Sequence, residues 1–306
     1  MSACAVCRTD LQIVAGDLEA RALPIVPGHQ AVGRVVAIGD GVDGWTAGDR
    51  AGVGWLGGAC GRCGFCRSGR ENLCRDAVFT GWDRDGGYAT RVTVRADFAL
   101  ALPDGFEDLA AAPLLCGGVI GYRALKVSGI EPGGRLGLFG FGASALLALQ
   151  VARAWDCEVH VRTRSRAGQE KAASLGARSV GPYEEPCPAL DAAVTFAPVG
   201  DVVVAALASL DRGATVAVNA IHLDRIPAFS YDLLWSERSI RSVANYTRTD
   251  AREFLDLAAR IGIRTSIDPF PLAEGVQALE RLAASELEGT AVLVTDPAGA
   301  ATDPAS

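Results

Sequence analysis

Four of the nine cysteines stand together as Cys60, Cys63, Cys66 and Cys74, a C-x2-C-x2-C-x7-C run in a glycine-rich stretch. Thiolates at that spacing can converge on one tetrahedral Zn2+, with Gly61 and Gly64 relieving the turns between them. Four soft ligands leave no open position, so such a site staples its loop, and its binding energy counts as folding energy. An iron–sulfur cluster and unligated thiols are the other readings of the same spacing, which also occurs in ribbons that bind nucleic acid.

A second constellation is more dispersed. Cys7 stands in CRTD, His29 in PGHQ and Cys116 in APLLCGG. Two thiolates and one imidazole form an incomplete tetrahedron, the pattern of a catalytic zinc with room for a substrate oxygen. Taken singly, each also reads as an ordinary buried side chain. Gly140-Phe141-Gly142-Ala143-Ser144-Ala145 reads G-x-G-x-x-A between the apolar run RLGLF and a helical stretch, the context a dinucleotide turn requires. Gly140 permits the tight turn, Gly142 the approach of a pyrophosphate and Ala145 close packing, with the helix N-terminus favouring negative charge. The next apolar run ends in Arg162, Thr163, Arg164, Ser165 and Arg166, with no acid to bind an adenosine ribose. Thr163 and Arg164 suit a 2′-phosphate, which favours NADP while leaving NAD open. Surface arginines also occur simply as solvated charge.

The elements that must position these groups fall into two patterns. From Val32 to Val94, short β-branched runs alternate with Gly and Asp turns, as in a small β-rich domain. From Arg135 the pattern becomes apolar run, glycine turn, helix, apolar run: RLGLF, ASALLALQVARAW, EVHV and a helix around 169–175. DAAVTF, GATVAVNA and SIRSVAN follow as further strands, so the fold class is α/β with a doubly wound parallel sheet ending near Tyr246. DAREFLDLAARIG and PLAEGVQALERLAAS then read as amphipathic helices and TAVLVT as a last strand, before a tail, DPAGAATDPAS, expected to be disordered.

Composition narrows the function. At roughly 150 residues per domain, 306 residues suggest about two domains, and 49% hydrophobic content with 21% charge suits a full-sized core. A formal charge of −7 opposes nucleic-acid and anionic-membrane partners. The longest apolar stretch is broken by Gly137, Gly140, Gly142, Ser144 and Gln150, so no membrane span is expected. Clustered thiols without a secretory signal point to a reducing, cytoplasmic setting. His160, inside EVHV, reads as a strand histidine, His222 as a loop residue near a strand end, and Cys4, Cys157 and Cys187 as packing thiols.

CRTD, the run Gly28-His29-Gln30-x2-Gly33-x5-Gly39, GDR at 48–50, the four-cysteine run, GGYA at 86–89 and the Cys116 segment occur in this order. The set resembles the zinc-containing alcohol dehydrogenases of the medium-chain dehydrogenase/reductase superfamily, from Met1 to about Asp296. The resemblance implies a GroES-like catalytic domain formed by 1–118 and 247–306 and a Rossmann cofactor domain at 119–246. It implies one catalytic zinc on Cys7, His29 and Cys116 and one structural zinc on the four-cysteine run. Asp10 would orient His29. Thr9 would accept the substrate proton into a relay, Arg8 would reach the cofactor pyrophosphate, and Leu18 and Trp55 would wall an apolar pocket. The implied reaction is hydride transfer between a primary alcohol or its aldehyde and NAD(P), by a homodimer or homotetramer.

Three departures stand out. Gln30 occupies the place of a usual Glu, which leaves the metal site more positive by one charge. Gln12 stands where the relay often ends in His, and an amide does not titrate near neutral pH, so proton exit would use water. Met1 lies only six residues upstream of Cys7, where family members carry a few dozen more, including barrel strands. A barrel without those strands would expose edges and apolar faces. A zinc-poor quinone or enone reductase, or a non-catalytic zinc- and nucleotide-binding remnant, are the alternative readings. Retention of Cys7, Thr9, Asp10, His29 and Cys116 together argues against both.

Overall fold

The computed structural model describes residues 1–221 and 223–295; His222 and the tail from Asp296, both considered above, lie outside them. Two compact units emerge. The first comprises Met1–Cys116, Tyr246–Ala259 and the chain from Arg264, and the second comprises Gly117–Asn245 with Arg260–Ile263.

The first unit begins with strand β1 (Ala3–Ala5) and helix α1 (Arg8–Ala15), then β2 (Ala31–Arg34), β3 (Arg50–Val53) and β4 (Leu56–Gly58). Helix α2 (Gly64–Arg67), β5 (Val78–Phe79), β6 (Leu100–Ala101) and α3 (Asp108–Ala111) follow. The run Arg91–Val94, expected to be part of the β-rich pattern, lies in no strand, although Val92 and Val94 pack against the core formed by Cys4, Ala31 and Val53. Val36, beyond β2, is 73% exposed.

The second unit opens with α4 (Gly117–Ser128), then alternates: β7 (Arg135–Phe139), α5 (Ala143–Ala154), β8 (Glu158–Arg162), α6 (Arg166–Ser174), β9 (Ser179–Gly181), β10 (Leu190–Thr195), α7 (Gly200–Ala208), β11 (Leu210–Val218) and β12 (Ser239–Ser242). All six strands run parallel in the order β12-β11-β10-β7-β8-β9. Read from the other edge this is 3-2-1-4-5-6, the doubly wound Rossmann order. Its central strand reads RLGLF because a parallel strand is covered on both faces: Leu136, Leu138 and Phe139 are all fully buried. Burying each such side chain contributes about 1.5–3 kcal/mol.

The chain then passes through α8 (Arg248–Ile261), with Arg260–Ile263, its last two residues and the two that follow, clustering with the second unit, and continues in β13 (Ile267–Pro271), α9 (Gly275–Ala283) and β14 (Thr290–Val294). These last strands complete the first unit's sheet, ordered β13-β14-β1-β2-β3-β6. Strand β1 is internal, paired antiparallel to β14 on one side and β2 on the other. Its ACA triplet is buried at every position. That central placement fixes where Cys7, two residues beyond its end, begins α1.

Candidate active site

CRTD is a helix start. Cys7 is the N-cap of α1, and Asp10, three residues on, accepts the Cys7 backbone N–H at 2.9 Å through Oδ2, half of a capping box. Gly16 ends the helix in the left-handed conformation, φ 80°. The same Asp10 carboxylate is completely buried and serves a second purpose. Its Oδ1 lies 2.9 Å from His29 Nδ1 and accepts Gly28 N–H at 3.1 Å. With Nδ1 engaged, Nε2 of His29 is left to ligate a metal.

Ligand atoms of Cys7, His29 and Cys116 all lie within 4.8 Å of one another. The three groups are tightly linked through shared hydrogen bonds and charge. Hydrogen bonding to Cys116 pulls the Cys7 thiol well below its usual range, with burial opposing and His29 assisting. The same shared hydrogen bond, reinforced by burial and the Cys7 charge, pushes Cys116 up. Burial alone would lower His29, but the charge and hydrogen bond of Asp10, with Cys7, raise it to about 10. Two soft sulfurs and one oriented imidazole fit zinc with a fourth position open. Thr9, 3% exposed, receives the Cys7 thiol on its hydroxyl at 3.8 Å. Gln30 is buried, and its amide donates to the Ala5 carbonyl at 3.4 Å. Arg8 is exposed at the first position of α1, and Gln12 is half-buried on the same helix.

Trp55 packs its ring edge-on to His29 at 4.8 Å and stacks on Phe79 at 5.2 Å and Trp82 at 5.8 Å. Arg21 covers the outer face of Trp82 at 3.7 Å and pairs with Asp83 at 3.2 Å. The Trp82 indole N–H donates to Glu19 O at 2.8 Å, fastening the segment that holds half-buried Leu18. Phe79, Trp82 and Arg21 were not identified from sequence; the turn FTGW after the cysteine run carries the aromatic signal for two of them.

The Cys60, Cys63, Cys66 and Cys74 sulfurs form the second set of mutually close ligand atoms. Cys63–Cys66 and Cys60–Cys66 sulfurs are 3.5 and 3.9 Å apart. Zn–S bonds of about 2.3 Å in a tetrahedron place sulfurs about 3.8 Å apart, so the cage fits zinc. Amide N–H groups of Arg62 and Cys63 hold Cys60 down to about 6, favouring its thiolate. Buried Glu71 ties the lobe to α8, accepting Arg248 N–H at 2.9 Å and Arg248 Nε at 3.2 Å.

In the second unit, Gly140 has φ 90°, and a Cβ there would lie 2.8 Å from Ala197 N, so only glycine makes this turn. A Cβ on Gly142 would meet nothing within 4 Å, and this N-cap of α5 supplies no side-chain acceptor to the first amides. Ala145 is fully buried. The Arg162 side chain is not at the strand tip: it is 1% exposed and donates to the carbonyls of Glu185 and Pro186 at 2.9 and 2.8 Å. Thr163 is buried and accepts Ser165 N–H at 3.4 Å, Arg166 pairs with Glu170, and Arg164 is exposed. His160 sits between Ser179 and Glu158 as a buried strand residue. Cys4 and Cys157 are buried and Cys187 half-buried. Among the described residues no helix is long and apolar enough to cross a membrane.

Residues 1–104 match the family model described as Alcohol dehydrogenase GroES-like domain. The Mycobacterium tuberculosis protein named "Probable alcohol dehydrogenase AdhA" is 48% identical over 299 residues, covering 95% of this chain and 86% of that protein. An alcohol dehydrogenase of Geobacillus stearothermophilus is 35% identical over 303 residues, covering 96% and 89%. The solved cinnamyl alcohol dehydrogenase of Sorghum bicolor has a TM-score of 0.88 at 27% identity, over 99% of this chain and 90% of that one. The Helicobacter pylori CAD structure complexed with NADP(H) shares the fold, with a TM-score of 0.86 at 23% identity over 96% and 88%. With relatives this similar along nearly its whole length, the chain belongs to the alcohol dehydrogenases of the medium-chain dehydrogenase/reductase superfamily.

Proposed function

We propose that the protein is a zinc-dependent alcohol dehydrogenase and aldehyde reductase, exchanging a hydride between a primary alcohol and NADP, with NAD as the weaker cofactor. The observation that carries the reading is the convergence of Cys7, His29 and Cys116, with Asp10 fixing the imidazole. When bound, zinc supplies Lewis acidity toward the substrate oxygen and the nicotinamide exchanges the hydride.

This chain's own residues do the rest. Cys7, His29 and Cys116 hold the metal and leave a position for substrate, while Cys60, Cys63, Cys66 and Cys74 hold a second zinc that stabilises the lobe. Thr9 takes the proton from the alcohol, and with Gln12 on the same helix face unable to titrate, the proton leaves through water. Leu18 and Trp55 bound an apolar pocket. Gly140, Gly142 and Ala145 let the start of α5 approach the pyrophosphate. Thr163 shapes the strand tip and Arg164 pairs with a 2′-phosphate. The protein works in the cytoplasm as a homodimer or homotetramer.

Reduction of a small panel of aliphatic and aromatic aldehydes, followed with NADPH and NADH in parallel, tests the reading. Turnover that is faster with NADPH and abolished in Cys7→Ser supports it. Turnover of quinones or enones alone, undiminished in Cys7→Ser, overturns it.

A further inference from the structure

The Gly86-Gly87-Tyr88 run plays no part in the reaction outlined above, yet it is tightly built. Gly86 N–H donates to Val26 O at 2.7 Å, Tyr88 N–H to Pro27 O at 3.0 Å and Gly87 N–H to Gly28 O at 2.8 Å. Side chains are excluded along this contact. A Cβ on Gly86 would collide with the Gly28 carbonyl oxygen, and one on Gly87 would lie 2.5 Å from Ala31 Cβ. Gly28 in turn has φ 99°, and a Cβ there would strike the Tyr88 ring. Three backbone bonds and three glycines therefore seat one phenol over the segment that carries His29.

From that seat the Tyr88 hydroxyl donates to Asp10 Oδ2 at 3.1 Å. Asp10 now holds two donors on each oxygen: Gly28 N–H and His29 Nδ1 on Oδ1, Cys7 N–H and Tyr88 O–H on Oδ2. A carboxylate has about four acceptor positions, so all are filled. The Tyr88 bond is the one that comes from outside the Cys7–Asp10 and Gly28–His29 segments. Without it, Oδ2 keeps a single donor and the carboxylate can turn about its bond to Cβ, carrying the imidazole with it.

We infer that Tyr88 is a positioning residue: its hydroxyl locks Asp10, and through Asp10 the ring of His29, so that retention of the catalytic zinc depends on a phenol that touches neither metal nor substrate. The inference rests on the zinc reading of Cys7, His29 and Cys116. Loss of such outer partners typically costs about 10- to 100-fold in metal affinity. A contact one step further out should lie at the low end.

Tyr88→Phe keeps the ring on Gly28 and removes only the hydroxyl. Zinc release from the purified holoprotein to a chromogenic chelator would be followed for wild type and variant. One zinc should leave the variant about tenfold faster, while the zinc of the four-cysteine lobe leaves at the wild-type rate and reports that the variant is folded. With cobalt at the catalytic site, the visible ligand-field bands of the variant should shift, a signature that lost packing elsewhere does not produce. Equal release rates with unshifted bands, or both zincs leaving faster together, overturn the inference. A wild-type protein with zinc only in the lobe overturns the zinc reading itself, before any variant is compared.

Discussion

Replacing Asp10 by Asn isolates what its carboxylate does for the fold, apart from catalysis. The side chain is fully buried and accepts from Cys7 N–H, Gly28 N–H, His29 Nδ1 and Tyr88 O–H. An amide offers one acceptor and one donor atom. With its oxygen at Oδ1, the NH2 confronts the fixed Cys7 N–H, although the Tyr88 hydroxyl can rotate to accept. With the amide flipped, His29 can change tautomer but the Gly28 N–H cannot. Either way one buried backbone donor loses its acceptor, at about 1–3 kcal/mol, and the opposed NH2 hydrogen adds a similar loss. We expect Asp10→Asn to destabilise the first unit by about 2–4 kcal/mol. Urea unfolding of chelator-treated protein, followed by tryptophan fluorescence, removes metal ligation from the comparison, and Trp45, Trp55 and Trp82 report on this unit. A variant within about 0.5 kcal/mol of wild type, the range of a neutral surface change, would mean that the four bonds to Asp10 do not stabilise this unit.

Other outcomes follow from the same geometry. Arg164→Asp should lower the ratio of kcat/KM with NADPH to that with NADH by about 10- to 100-fold, the equivalent of one lost charge-assisted contact of about 1.5–3 kcal/mol; an unchanged ratio removes Arg164 from the phosphate site. Burial alone would push Glu71 up, but the backbone bond, side-chain bond and charge of Arg248 more than offset it and hold the carboxyl below its ordinary value. Its folded form thus binds protons less readily than the unfolded chain, so its contribution is full above about pH 4.3 and fades as pH falls through the lower folded value. The stability gap between wild type and Glu71→Gln should accordingly be constant from neutral pH to about 5 and close in more acid solution, and a gap that widens there contradicts the pairing. Trp55→Ala should reduce kcat/KM for aromatic alcohols about tenfold more than for ethanol; a uniform loss would assign Trp55 to supporting His29 rather than to the pocket wall.

Much of this organisation is legible in the residues because local and global demands coincide there. RLGLF followed by a G-x-G-x-x-A turn states a buried parallel strand, a tight glycine turn and a helix, and β7 and α5 occupy those places. CRTD is at once a capping box and the source of one of three convergent side chains, Cys7, while the acid three residues after the cap is the one that reaches His29. Where residues serve a partner distant in sequence, the signal fades. Strand β13 carries Pro269 and Pro271, which argue against a strand, and it survives as an edge paired only to β14. Strand β9 is likewise an edge, of the second unit's parallel sheet, and its three residues are too short to show alternation. Arg162 belongs by composition with the exposed arginines after β8, but the carbonyls of Glu185 and Pro186 draw it inside. Tyr88 reads as one aromatic in a glycine turn, and its meaning depends on a carboxylate 78 positions away.

The proposed reaction depends on a zinc at Cys7, His29 and Cys116 separate from the one in the four-cysteine lobe. Zinc per chain, measured by plasma mass spectrometry on wild type and Cys116→Ser, separates the two sites. About two zincs are expected in the wild type and about one in the variant, with alcohol oxidation lost. About one zinc in both proteins, with oxidation unchanged, would contradict that dependence.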